Sequence, residues 1–327
     1  QIFPNMSFNV DNFIAAPNES LLIDSKVDEN GNFQNLYIKW GDANVAIFKK
    51  GSDIIHPILE PILDDLLVSP DHIKKIQDKI QKWFDDTYLS KMDLSDKLKK
   101  FNSKPEERSF IFKIIESHYI LYQINILDEF KLIDEPQRKE IHSLNFRLGK
   151  NVVFNSELIR PEYMKLKFYL WNLYNNKFLN IDEYIPKDGN ATINIQNKLN
   201  EELLTFLGFV SKNDLLIRID IFNEFEKQLF KRENRGPFSL PMDLSNLLGI
   251  KKEKLISILK SRSLNIQEIA DNDLIISKKI NVNNKTSEFM QNKNKKVLKK
   301  PSKKVIKPSS KKLFNNPFDQ LKNINVK

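Results

Sequence analysis

Cysteine is absent from all 327 residues, which excludes disulfides, thiolate metal sites and cysteine nucleophiles together. Histidine is nearly as scarce. The four that exist, His56, His72, His118 and His142, stand far apart, and none lies in an H-x-x-x-H or H-E-x-x-H frame. For His118, on the most apolar stretch of the chain, a hydrogen-bonded core or interface position is the expected role. Glycine numbers eight and never forms a phosphate-cradling loop, and no G-x-S-x-G elbow or DExH box is present. The adjacent acids Asp64-Asp65, Asp85-Asp86, Glu106-Glu107 and Glu201-Glu202 diverge by about 100° on a helix and do not share a proton or a metal. No uncharged apolar run reaches the ~18 residues of a membrane span, and nothing near Gln1 has the layout of a signal peptide. These absences leave no catalytic residue, no metal site and no cofactor to assign to this chain. A reducing cytoplasm is the expected compartment.

One stretch imitates a phosphate loop. In FRLGKNVVFNSELIRP, residues 146 to 161, a Gly-Lys pair is followed by Asn151, but the first glycine of G-x-x-x-x-G-K-S/T is replaced by Leu144 and the terminal hydroxyl by that asparagine. Without the first glycine the amides cannot curl toward one anion, and without the hydroxyl there is no Mg ligand.

Charge is abundant and unevenly placed. Of the 52 lysines and arginines, twelve lysines fall within Phe289–Lys327 beside a single acid, Asp319. The preceding 288 residues therefore hold 40 basic against 42 acidic side chains, and the net +9 belongs to the tail. The chain begins with Gln1, its first methionine is Met6, and a piece of a longer protein is expected.

The pattern predicts an α+β fold, mainly α, in four parts. Residues 1–60 read as a small N-terminal antiparallel hairpin sheet, from LLIDS, NLYIKW and NVAIF with a Gly41-Asp42 turn. Residues 61–180 read as a helical bundle: a helix capped by Ser69 and Pro70, a central helix from about Pro105 to Glu129 behind a Ser103/Glu106 capping box, a short helix after Asp134, and one launched by Pro161. On the last, Glu162, Lys165, Tyr169, Asn172 and Asn176 are expected to face water. Residues 181–280 read as a helix-strand-helix module of winged-helix outline, with two short helices separated by Gly249-Ile250. Residues 281–327 are too poor in apolar side chains to build a core and read as a disordered basic tail.

Three features point to a polyanion. Ten lysines between Phe289 and Pro317, among them Lys295, Lys296, Lys299, Lys300, Lys303 and Lys304, suit sequence-independent phosphate contact, with a solubilising tail as the plainer alternative. Arg147, Lys150 and Arg160 offer a smaller patch beside Phe146 and Phe154, against which stands the reading of ordinary charges flanking a core loop. The aromatics at 163 to 174 suit base stacking by density, but their helical phase favours core. In NNPFDQLKNI, the spacing of Phe318 and Leu321 puts them on one face of a short helix that suits docking on a partner, with frayed terminal residues as the equal alternative.

FRLGKNVVFNSELIRPEYMKLKFYLWNL resembles the R-F-G-x-x-x-x-F-x-P-x-L-L-K-P…LW segment of the alphaproteobacterial relatives of the mitochondrial degradosome RNA helicase, through Arg147, Gly149, Phe154, Leu158, Pro161, Leu170 and Trp171. Ser156, Glu157 and Arg160 depart from that pattern. GPFSLPMDLSNLLGIKKEKLISILKSRSL, NNPFDQLKNI and IKWGDANVAIFKKGSDIIHPILEPILDDLL are similar to further segments of the family. The resemblance implies the C-terminal, RNA-binding accessory region of a superfamily-two helicase. Its two motor domains, which bind ATP and Mg, would precede this chain on the same polypeptide. RNA is the implied strand, with DNA left open, and a ribonuclease or other decay partner is the implied alternative ligand of the terminal motif, which would make the chain a docking scaffold.

Overall fold

A computed structural model describes residues 10–62, 69–101, 104–186, 192–194, 199–262, 264–269 and 273–278. The fold is α+β and mainly helical, with small antiparallel sheets. At the front, β1 (Leu21–Val27), β2 (Phe33–Trp40), β3 (Ala43–Lys49) and β4 (Ile58–Pro61) form a meander in sequence order, between α1 (Val10–Ala15) and α2 (Pro70–Phe84) in the chain. Trp40 pairs with Ala43, so Gly41-Asp42 is a two-residue turn, and β4 joins the three strands the sequence predicts. The core alternates as the strand period requires: Leu36, Ile38, Ala46 and Phe48 are buried. On α2 the buried positions are Ile76, Ile80, Trp83 and Phe84, and Phe48 meets Phe84 edge to face at 5.6 Å. Ser69 caps α2 by accepting from His72 N.

After the short turns α3 (Ser90–Met92) and α4 (Ser95–Leu98), one connectivity occurs twice, with a variant between the two copies that has its second helix before the first strand. The first copy runs α5 (Pro105–Glu116), β5 (Ile120–Tyr122), α6 (Ile126–Lys131), α7 (Glu135–Ser143), β6 (Phe146–Leu148) and β7 (Val152–Asn155). The second runs α8 (Pro161–Asn175), α9 (Ile181–Tyr184), β8 (Thr192–Asn194), α10 (Glu201–Leu207), β9 (Phe209–Lys212) and β10 (Leu215–Arg218). The third runs α11 (Ile219–Glu233), β11 (Phe238–Ser239), α12 (Met242–Leu248), α13 (Lys252–Ser261), β12 (Leu264–Ile269) and β13 (Asp273–Lys278). In each, the last two strands form a hairpin and the first strand pairs antiparallel with the last, giving the orders β5-β7-β6, β8-β10-β9 and β11-β13-β12. Helix, strand, two helices, then a hairpin with this strand order, as in the first and third copies, is winged-helix connectivity, in which the helix just before the hairpin corresponds to the second helix of a helix-turn-helix, its reading position.

The structure corrects several sequence expectations. The helix expected from Pro105 to Glu129 ends at Glu116, because His118 and Tyr119 take left-handed φ of 48° and 66° and turn the chain into β5. Asn125, also left-handed at 60°, then starts α6. Ser103 lies outside the described residues, and the carboxylate that closes the first turn of α5 belongs to Glu107, accepting from Lys104 N at 3.1 Å, in place of Glu106. The 61–180 stretch thus carries a three-stranded sheet among its helices. On α8, Asn172 is fully buried: its amide donates to Phe168 O and its carbonyl accepts from Leu179 N, so a polar residue fills a core position with its bonds made. Tyr163, Phe168 and Trp171 are buried, as their phase predicts. No helix among the described residues is long and apolar enough to cross a membrane.

Candidate nucleic-acid interface

The imitation phosphate loop is the hairpin turn of the first copy. Gly149 N donates to Val152 O at 2.9 Å, with Lys150-Asn151 as the turn. A Cβ at residue 149 would overlap Asn223 Oδ1 on α11, so the glycine is there to let the turn press against that helix. Asn151 fastens the same contact. Its carbonyl accepts from Asn125 N at 3.0 Å and its amide donates to Glu226 Oε2 on α11 at 2.8 Å. Motif residues in this turn hold units together.

The three candidate cations around it are not brought into one cluster. Lys150 is at the turn, Arg147 points outward from β6 opposite Phe154, and Arg160 follows the other end of β7, where it precedes Pro161 and lies 3.9 Å from Glu157. Phe146 and Phe154 are buried and offer no ring to a ligand. Lys150 is different from the other two, because its Nζ lies 5.1 Å over the ring of Phe230.

Lys150 also borders a cleft of about 270 Å³ to which all three copies contribute. Tyr122 and Ile124 come from the first, Lys212 from the second, and Phe222, Glu226 and Arg262 from the third. Lys212 Nζ donates to Tyr122 Oη at 3.0 Å and sits 4.6 Å over its ring, while Tyr122 meets Phe222 edge to face. Glu226, almost fully buried, pairs with Arg262, whose Nε lies 3.5 Å from Glu233. Burial lowers the Arg262 pKa and raises that of Glu233. Taking these charges out of water is costly, so the pairing is what keeps the junction intact.

The helices at the reading position differ in charge. In α7, Lys139 is spent on Glu135 at 2.8 Å and Glu140 is exposed. Helix α10 opens with exposed Glu201 and Glu202 and otherwise packs onto α8. Helix α13 and the residue before it carry Lys251, Lys252, Lys254 and Lys260 against Glu253 alone, and none of the four ammonium groups has an ion pair or hydrogen bond among the described residues. Sequence reasoning passed over these four, although KKEKLISILK displays them once Leu255, Ile258 and Leu259 define the buried stripe. It also had no way to see Lys212, Arg262 and Tyr122 as neighbours.

Three of the four histidines and one buried lysine have structural partners. His56 lies between Asp53 and Asp93, His142 Nδ1 is 3.2 Å from Phe146 O, and half-buried His118 packs edge to face on Phe206. Lys167, inside α8, donates to Phe206 O at 2.6 Å, and burial pushes its pKa down to about 7. Among the described residues no group of three His, Asp or Glu side chains could hold a metal. Lys295, Lys296, Lys299, Lys300, Lys303, Lys304, Phe318 and Leu321 lie outside the described residues. No family model matches the chain, and neither a curated protein nor a solved structure is similar to it.

Proposed function

We propose that this chain is an RNA-binding accessory region of an ATP-dependent helicase whose motor domains, with their ATP and Mg, lie elsewhere on the same polypeptide. The observation that carries the RNA-binding part is α13: four lysines without partners on the helix that winged-helix connectivity puts at the reading position. The helicase part rests on the sequence resemblance around Arg147–Trp171. The lysines of the tail add a second, sequence-independent tether. Alone, the chain is expected not to turn over ATP.

Fluorescence polarisation with a labelled single-stranded RNA tests the reading. Affinity should fall steeply and log-linearly with salt, and the triple change Lys251→Glu, Lys254→Glu, Lys260→Glu should weaken binding and flatten the slope by roughly one per lysine removed. Salt-insensitive binding, or a triple variant that binds like the parent, rejects it. A second reading, a scaffold docking a ribonuclease through Phe318 and Leu321, is favoured by the shared face of those residues in NNPFDQLKNI. Removing residues 313–327 separates the two, since docking predicts lost partner capture with RNA affinity intact.

A further inference from the structure

Resting on that RNA-binding reading, we infer that the cleft at the meeting of the three units is a slot for one unstacked nucleotide of a single strand. The base lodges at the mouth against Ile124 and Phe230, and Lys150 takes its phosphate.

Size gives the first reason. A cleft of about 270 Å³ has room for a base and its sugar, and a stacked, paired helix does not enter it. Surface chemistry gives the second. Ile124 is 71% exposed beside the cleft, and Phe230, under the Lys150 ammonium, is 41% exposed, so two large apolar side chains stand in water next to a cation. That pairing of flat apolar surface with positive charge is what single-strand binders present to bases and backbone. Lys150 makes no direct ion pair: its ammonium rests on the ring, with the Glu233 carboxylate near enough to feel its charge, and an exposed ammonium on a ring is weakly held. An arriving base can take the ring face while the ammonium moves to the phosphate, and neither group loses a partner in the exchange.

The charge balance inside the cleft agrees. Lys150, Lys212 and Arg262 outnumber Glu226 in the lining and Glu233 behind Arg262, and the Glu226 carboxylate is already occupied by Asn151 and Arg262, so it does not face an incoming anion unmet. Asn125 and Ser261 at the lining supply an amide and a hydroxyl for base edges. Position completes the case, because Ser261 ends α13 and Arg262 follows it, so a strand held by the α13 lysines runs on into the slot. A reading helix cannot enter the deep, narrow major groove of A-form RNA, whereas an unpaired base is free to leave its stack.

The experiment uses the full chain, a short fluorescein-labelled oligouridylate and a blunt RNA duplex of equal length. Ile124→Ser and Phe230→Ala, both at exposed positions and checked by thermal melting, should each weaken the single strand about tenfold and leave the duplex unchanged. A 4-thiouridine strand should crosslink to the segment 122–125 or to the peptide around Phe230. Variants that bind the single strand like the parent, equal losses on both probes, or crosslinks confined to other segments overturn the slot. If the α13 triple variant still weakens both probes in that case, the slot alone fails. A parent chain that binds neither probe removes the RNA-binding reading along with it.

Discussion

The first and third units share their connectivity, yet the helix before the hairpin meets solvent on opposite terms. In α7 the lysine is neutralised by Glu135 one turn away, and the face is balanced. In α13 four lysines stand without partners. The hairpin differs in the same sense: the first copy packs its turn on α11 through Gly149 and Asn151, which leaves Lys150 as the one turn side chain able to reach a ligand. A repeated framework fixes where a helix lies, and the side chains left over after packing decide whether it can bind anything. The second copy goes furthest toward packing, with α10 laid on α8 and its Phe206 carbonyl taken by buried Lys167.

That last point gives the largest expected effect. The Lys167 amine titrates at about 7 in the fold and at its ordinary 10.5 when unfolded. Between those values the unfolded chain binds more protons, so stability climbs as pH rises from about 7 to 10.5, and the burial penalty is complete below 7. The span is on the order of 5 kcal/mol. Chemical denaturation across that window should show the climb, and Lys167→Met should remove it; an unchanged slope in the variant would mean α10 does not seal that lysine. Next comes Glu226→Ala, which takes from Arg262 one of its two carboxylates, leaving Glu233, and from Asn151 of the first unit its acceptor on α11. It should cost about 3 kcal/mol in a urea melt. A loss below ~1 kcal/mol, typical of a solvent-exposed pair, would mean the units are not clamped there.

Gly149→Ala should cost about 1 kcal/mol by pushing the turn off Asn223, and Asn223→Ala in the same chain should recover most of it. Smallest of all, Lys139→Glu on α7 should leave RNA affinity unaltered in the polarisation assay that registers the α13 triple variant. Equal losses from both helices would erase the distinction between the units.

How much of this could be read from the chain depends on element length. Helices α2, α8 and α13 and strands β1 to β3 were legible because each repeats its period several times and carries punctuation, such as Ser69-Pro70, Pro161 or Gly249. The sheets of the first and second copies were not, apart from β10 within LLIRID, since β5, β6 and β8 are three residues long and a three-residue strand has no period to detect. The faint trace is in the hairpins: FRLGKNVVFN and FVSKNDLLIR match in layout, an aromatic start, a Lys-Asn pair at or beside the turn and an apolar return strand. For the interface, Lys150 was visible but its ring, Phe230, is far along the chain, and only the fold reports that they touch. The lysine tail drew the charge argument away from α13.

Strand β10 ends at Arg218 and α11 begins at Ile219, with no residue between the second unit and the third. A protease or a gene truncation seeking a clean seam finds none there, because any break would strip Phe222 and Phe225 of their cover and leave a sticky stump. Dissecting the protein into separately soluble winged pieces is therefore a poor strategy, and mutating surfaces in the intact chain is the informative one.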